Sequence, residues 1–447
     1  MTGQPNPGSI VLGSCGPCQP RGAAAQARLE AAARCAQVGS LVASDWLTYL
    51  RCCLAAWVAM THLLDWSVDQ LRSWFRARRL PAYRGAQVYR WLFRQRARHW
   101  DDMTDLSKSL RAELADCFRL WTTQVARQIR AEDGTEKLLL ELADGQAIEA
   151  VLLRERGRRT LCLSTQVGCA VGCTFCASGA QGIERNLSSG EIVEQMLRLQ
   201  QLLDRSESIS HIVVMGMGEP LANLNALLPA LALARDPACL GISPRRITIS
   251  TVGLPAAMRR LAREAPQYRL AVSLHAPNDP LRNQLVPANR HIGLRAILTE
   301  ADRYYRASGR RLTFEYVLLQ GINDQPEHAR QLIRCLGRRT ALVNVIPYNP
   351  IAGLPYRTPS ARVQAQFGSI LRDGGLRVEF RQRKGSSIAA ACGQLRRAGH
   401  PAPGRAAPSK NDPDLVGSQR DPAGPSTAHH GTGYLEFDRT DGNQVQR

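Results

Sequence analysis

Six short runs of aliphatic and β-branched residues, each followed by a stretch with helical apolar spacing, fill the middle of this chain. They are Leu161–Gln166, His211–Gly216, Arg246–Thr251, Arg269–Leu274, Leu312–Leu319 and Ala341–Ile346. Alternation of this kind makes consecutive strands parallel, because each helix must cross back over the sheet, and the crossovers are right-handed. Six units are too few for a closed eight-stranded barrel. The expected fold is therefore α/β, an open, partial (β/α)6 barrel. In such folds ligands sit beyond the carboxyl ends of the strands, which says where to look for chemistry.

Upstream, Lys137–Leu142 and Ile148–Leu153 flank Asp144 and Gly145, a hairpin signal. Before the hairpin, Leu63–Phe75, Gly85–Phe93 and Met103–Leu114 carry amphipathic helical spacing. They read as a small N-terminal helical domain whose basic faces suit RNA contact. The expected organisation is an extension over 1–60, the helical domain over 61–125, a catalytic domain over 126–395 and a disordered tail over 396–447. The tail is dominated by Gly, Pro, Ser, Asp and His, with too little apolar content for a core. Readable pattern begins just after Met60, so residues 1–59 are expected to be dispensable and Met60 to be an alternative translation start.

The residues at the strand ends are unusual. Cys169, Cys173 and Cys176 follow the first strand in a C-x3-C-x2-C loop. A closed structural zinc site needs four ligands, so three thiolates point to a metal centre with one open position. Gly216-Met217-Gly218-Glu219-Pro220 follows the second strand, Ser250 ends the third, Ser273-Leu274-His275 the fourth and Pro347-Tyr348-Asn349 the sixth. The glycine pair lacks the third glycine of a dinucleotide fingerprint, and Pro220 follows the acid, so a Rossmann loop is disfavoured. Two further thiols stand out by position. Cys162 lies within the first strand, and Cys392 comes after the last one. Taken alone, each is what most unpaired cysteines are, a small buried apolar group.

Composition narrows the partners. Fifty-eight basic residues, only four of them lysine, face 38 acidic ones for a net charge of +20. That excess favours a polyanion such as RNA or DNA, although the arginine bias also fits a base-rich genome. Thirteen cysteines in 447 residues are not spaced as a secreted disulfide framework. No basic segment followed by an apolar core opens the chain, and the apolar run Cys52–Leu64 is too short to span a bilayer. A reducing cytoplasm, with no membrane partner, is the expected location.

Together the segments Leu161–Cys176, Val214–Pro220, Ala271–Asp279, Ile346–Pro350 and Ala391–Leu395 resemble the RlmN/Cfr family of radical S-adenosylmethionine (SAM) RNA methyltransferases. The resemblance runs in order from about Leu63 to Leu395. It implies a [4Fe–4S] cluster on Cys169, Cys173 and Cys176, with one iron left to bind SAM. It implies that Gly218, Glu219, Ser250, Ser273, Leu274, His275 and Asn349 bind SAM. By the same resemblance Cys392 is the cysteine methylated during turnover, Cys162 resolves the intermediate, and Glu149 is the proton acceptor. An adenine ring carbon is too inert for ordinary methyl transfer, and radical chemistry from a cofactor overcomes this. In the family's scheme one SAM methylates Cys392 and a second yields a radical that takes a hydrogen from that methyl. The carbon then adds to adenine, and Cys162 attacks the Cys392 sulfur to free the base, leaving a disulfide to be reduced. The implied substrates are adenine C2 at position 2503 of 23S rRNA and position 37 of tRNAs, with a flavodoxin or ferredoxin as reducing partner. The base must be unstacked to react, which suits loop RNA. Two alternatives remain: a Cfr-like adenine-C8 methyltransferase giving antibiotic resistance, and an RNA-binding protein holding zinc, with His211 or Cys162 as fourth ligand.

Overall fold

A computed structural model describes residues 61–180 and 182–396; the expected extension over 1–60 and the tail from 397 lie outside the described residues. Among the described residues there are fourteen strands: β1 (Thr61–His62), β2 (Phe118–Arg119), β3 (Gln124–Arg130), β4 (Glu136–Glu141), β5 (Ala147–Glu155), β6 (Arg158–Cys162), β7 (Gln166–Gly168), β8 (Ile183–Asn186), β9 (His211–Val214), β10 (Ile247–Thr251), β11 (Arg269–Ser273), β12 (Leu312–Leu318), β13 (Ala341–Pro347) and β14 (Arg377–Phe380). Ten of them form one sheet, in the order β14-β13-β12-β11-β10-β9-β6-β5-β4-β3.

From β6 to β14 every neighbour is parallel. The crossover helices are Ser189–Gln200, Leu224–Arg235, Pro255–Glu264, Leu294–Ser308, Pro326–Leu336 and Ala361–Asp373. These are the six expected βα units, and the fold is the expected open, partial barrel. The sheet does not close: β14 and β3 are its two ends. Two differences from expectation follow from local chemistry. The first parallel strand runs over Arg158–Cys162 rather than 161–166, because the chain leaves the sheet there to form the separate β7–β8 pair. A seventh parallel strand, β14, extends the sheet at its edge.

The expected hairpin is β4–β5, turning through Gly145 at φ +79°. It continues the sheet antiparallel from β6 and carries β3 on its outer side. The three N-terminal helices are Val68–Ala77, Tyr83–Phe93 and Lys108–Cys117. Ser67 starts the first through a reciprocal capping box with Gln70. Their apolar faces meet over Leu71, Phe75, Tyr89, Phe93 and Leu114, and Trp66 and Trp74 set their edges against Phe118.

One buried carboxylate joins this helical unit to the barrel. Glu194, fully buried on the helix Ser189–Gln200, accepts from the backbone N–H and hydroxyl of both Thr122 and Thr123. His62 lies 3.3 Å away from it, and Arg198 pairs with it at the same distance.

Candidate functional site

The cysteine loop lies between β7 and β8, beyond the carboxyl end of β6. Cys169 N–H donates to Gly182 O at 2.7 Å and Thr174 N–H to Leu285 O at 3.0 Å, which fixes both ends of the loop. The short helix Ala177–Ala180 packs flat on Cys173. A Cβ on Gly179 would stand 2.8 Å from the Cys173 nitrogen. Cys169, Cys173 and Cys176 all rest against an apolar nest that includes Val171, Phe175, Leu285 and Tyr348. Burial pushes the Cys169 thiol up to about 12 and raises Cys173 and Cys176 as well. Thiolates form in such a nest when a cationic metal holds them.

A first cavity opens over this loop, walled by the three cysteines and by Gly218, Glu219, Ser250, Ser273, His275, Asn349 and Cys392. Its empty volume, mouth included, is about 930 Å³, enough for a nucleoside-sized cofactor. Gly218 sits at φ +100°, and a Cβ there would lie 2.6 Å from the Gln166 side chain, so backbone lines this wall by necessity. The next residue, Glu219, is buried, and its backbone N–H donates to Gln166 Oε1. Its two carboxylate oxygens accept from the amides of Leu221 and Val252. Burial raises its pKa, while those amides and the nearby Arg282 favour the charged form. An ammonium group in the cavity would complete its surroundings.

His275 has a left-handed backbone at φ +62°, an uncommon state for a residue with a side chain. Asn323 holds it there, donating from Nδ2 to the His275 carbonyl. The ring stands edge-on to Phe175 and accepts from Val317 N–H at Nδ1. Burial, helped by Arg282, pushes its pKa down to about 3, so the ring is neutral and its Nε2 is the donor. Ser250 and Ser273 place their hydroxyls 3.2 Å apart. Asn349 donates to the Cys392 carbonyl, while its own Oδ1 is buried without a partner. Such an orphan acceptor is costly unless a ligand donates to it. The donor set, the glycine cradle and this orphan oxygen all fit a cluster with SAM.

Cys392 belongs to a wall that two cavities share. The second is lined by Val151, Cys162, Cys176, Met215, Cys392 and the run Arg381-Gln382-Arg383-Lys384. The segment carrying Cys392 is stitched to the cysteine loop. Ala177 N–H donates to Gly393 O at 2.8 Å, and Ser178 Oγ donates to Leu395 O at 2.6 Å. Cys162 and Cys392 are both free thiols. Burial, with the charge of Cys392 beside it, pushes Cys162 up to about 12. Arg381 lines both cavities, and the Cys392 charge raises its pKa.

The expected residues therefore converge, with two exceptions in detail. Leu274 is buried beside the first cavity without lining it; its N–H donates to Glu315 O, and its carbonyl accepts from Arg282 Nε. Glu149 lines neither cavity. Its carboxylate pairs with Lys137 Nζ at 2.8 Å and accepts from Arg396 N–H at 2.9 Å. Among the cavity residues not anticipated from sequence are Glu315 and Arg381. A lone acid within β12 or a lone base just past β14 has no spacing to mark it. Among the described residues no three His, Cys, Asp or Glu are grouped to hold a single metal ion. The zinc alternative thus gains no support. His211 is engaged with Ser210 Oγ at the opposite end of the strands.

Comparison with known proteins agrees with this geometry. Residues 61–120 match the family model for the ribosomal RNA large subunit methyltransferase N-terminal domain, and residues 163–333 match the radical SAM superfamily. The chain is 60% identical over 336 residues to a probable dual-specificity RNA methyltransferase RlmN of Rhodopirellula baltica, covering 75% of this chain and 91% of that protein. It is 42% identical to the dual-specificity RNA methyltransferase RlmN of Syntrophobacter fumaroxidans, over 74% of this chain and 96% of the relative. A crystal structure of a radical SAM methyltransferase from Sphaerobacter thermophilus superposes with a TM-score of 0.73 at 42% identity, covering 75% of this chain and 99% of that one.

Proposed function

The chain belongs to the RlmN family of radical SAM RNA methyltransferases, and from that premise we propose how its residues divide the methylation of an RNA adenine. Cys169, Cys173 and Cys176 hold the [4Fe–4S] cluster; Gly218, Glu219, Ser250, Ser273, His275 and Asn349 hold SAM, with Leu274 contributing through its backbone. Bound there, the cluster and SAM would supply the methyl group and the one-electron chemistry that activates it. Cys392 gives up its thiol proton, carries the methyl group as a thioether and presents it to adenine C2. Glu149 takes the ring proton. In the conformation described, its carboxylate faces Lys137 and the Arg396 amide, so it reaches that proton after the segment following Ala389 shifts. Cys162, as thiolate, then forms a bond to the Cys392 sulfur. The sulfur–carbon bond breaks, the released carbon takes up a proton to complete the methyl group, the base leaves, and a Cys162–Cys392 disulfide remains for an external reductant; the one electron left over by this sequence would return to the cluster. The proposed substrates are 23S rRNA and tRNA, and the electron donor a flavodoxin or ferredoxin.

The observation that carries this reading is the position of Cys392 in the wall common to both cavities. A group attached to its sulfur meets the cofactor cavity on one side and the cavity holding Cys162 on the other. Arg381, Arg383 and Lys384 on that second wall suit the phosphates beside an unstacked base. The test is nucleoside chromatography of rRNA and tRNA incubated with enzyme, SAM and reductant. C2-methylated adenosine in both RNAs is expected; C8-methylated adenosine as the first product would overturn the assignment.

A further inference from the structure

Arg381 brings a charge to the inner cavities without an acid to meet it. It follows β14, and its N–H donates to Val345 O at 2.9 Å, which carries the sheet pairing one residue past the strand. Among the described residues that line both cavities it is the only cation. Its one described side-chain hydrogen bond runs from Nη1 to the Met215 thioether at 3.8 Å, a weak acceptor. It joins no ion pair among the described residues. Glu315, the acid on the wall of the first cavity, takes its hydrogen bond from Asn344 Nδ2 at 2.7 Å instead. A guanidinium carries five N–H donors in one plane. Water in an open cavity can satisfy them, but whatever displaces that water must replace its hydrogen bonds. An occupant of the second cavity, whose empty volume with its mouth is about 1280 Å³, must therefore offer Arg381 an acceptor. The neighbouring residues stand differently. Gln382, Arg383 and Lys384 line only the second cavity, and Gln382 and Arg383 are exposed. Arg381 is half-buried and shares its wall with Cys392.

We propose that the Arg381 guanidinium donates a hydrogen bond to a ring nitrogen beside adenine C2, and so orients the unstacked base against Cys392 and activates its ring. The proposal rests on the reading of C2 as the acceptor carbon, given above, and it leaves the phosphates to Arg383 and Lys384. In adenine, C2 lies between N1 and N3, each with a free lone pair. C8 lies between N7 and N9, and N9 is bonded to ribose. A donor fixed beside Cys392 thus meets a suitable nitrogen on either side of C2 but on only one side of C8. The carbon carried by the Cys392 sulfur is electron-rich when it adds. A cation at the adjoining nitrogen draws electron density away from C2 and stabilises the density that shifts onto the ring during addition, as a preorganised donor does wherever charge develops.

The test uses RNA oligonucleotides with adenosine, 1-deazaadenosine or 3-deazaadenosine at the target position. Each deaza base has C–H in place of one ring nitrogen and cannot accept there. Single-turnover methylation is measured with the reconstituted full-length enzyme and with Arg381→Met and Arg381→Lys, after iron content and unfolding midpoint have been checked for each. RNA affinity is read separately, by fluorescence anisotropy over a range of salt. The deaza change also alters the ring itself, so the reading is the deaza penalty of a variant against that of the wild type. On the wild type one deaza base should react about tenfold or more slowly than adenosine, the contribution of a hydrogen bond from a charged donor. Arg381→Met should lose a similar factor on adenosine and most of its penalty on that deaza base, with RNA affinity and salt slope near those of the wild type. Arg381→Lys keeps one charged donor and should fall between the two, and this arm stands even where the methionine variant folds poorly. C2 methylation with equal deaza penalties in all three enzymes would overturn this proposal alone. A salt slope reduced by about one at equal penalties would overturn it by assigning Arg381 to a phosphate. RNA held covalently by the variants at equal penalties would overturn it by assigning Arg381 to the thiol pair. C8-methylated adenosine from the wild type would instead overturn the reading beneath it.

Discussion

Cys392 and Cys162 share one cavity wall but sit in different surroundings, and their variants should separate accordingly. Cys392→Ala is expected to keep a full cluster and lose RNA methylation altogether, as read by iron content and methylated nucleoside. Cys162→Ala is expected to hold RNA covalently, because the thiol that cleaves the adduct is gone; a slow-migrating band on a denaturing gel reports it. Normal turnover by that variant would remove Cys162 from the resolving step. At Gly218 the expectation is steric. Alanine there adds a Cβ 2.6 Å from Gln166 at a left-handed φ, costing about 1–3 kcal/mol of strain and displacing Glu219. Calorimetry should show SAM affinity falling further than the unfolding midpoint does. The site cysteines and the strand-end residues were legible in the sequence because their spacing repeats a chemical requirement. Glu315 and Arg381 were not, since only folding shows which residues within β12 and just past β14 face the cavity.

Among the elements, the β4–β5 hairpin does more than extend the sheet. It carries Lys137 and Glu149, whose side chains are each only 9% exposed and pair at 2.8 Å. Lys137 also donates to Ala389 O, which ties the hairpin to the segment leading into Cys392. Removing one member of a buried pair strands the other charge. Lys137→Ala is therefore expected to destabilise the protein by about 3–5 kcal/mol in urea unfolding, and to release the Cys392 segment to proteolysis. The double change Lys137→Met with Glu149→Leu should restore most of the stability while remaining inactive. The hairpin was readable from its turn and its alternation. β3 and β14 were not: β3 is a polar, largely exposed edge strand, and β14 has four residues with only half-buried apolar side chains. Edge strands owe their pairing to neighbours rather than to their own pattern.

For the whole molecule, the joint around Glu194 sets a pH limit. Burial lowers the pKa of His62 below 6.5, outweighing the pull of Glu194, Asp65 and Glu191. The folded state thus holds this ring neutral while the unfolded chain protonates it. Its contribution to stability is complete above pH 6.5 and is lost as pH falls below that value toward the folded pKa. The unfolding midpoint should drop across that window, and His62→Asn should flatten the drop. Association with RNA should depend steeply on salt, given the charge of +20. About six phosphate contacts would cost roughly a thousandfold in affinity between about 50 and 200 mM, measurable by fluorescence anisotropy. No helix among the described residues is long and apolar enough to cross a membrane. The order of the chain adds one consequence of its own. Ser178 and Leu395, bonded across the site, stand 217 residues apart in sequence. During synthesis Cys169, Cys173 and Cys176, the proposed cluster ligands, emerge more than 200 residues before Cys392, the proposed acceptor. Closing so long a loop is among the slow steps of folding. A chain halted between Glu219 and Cys392 would hold the three cysteines and the Gly218–Glu219 cradle but would lack the proposed acceptor sulfur. With the roles proposed above, unfinished copies would be unable to methylate RNA, and translation itself would act as the safety catch.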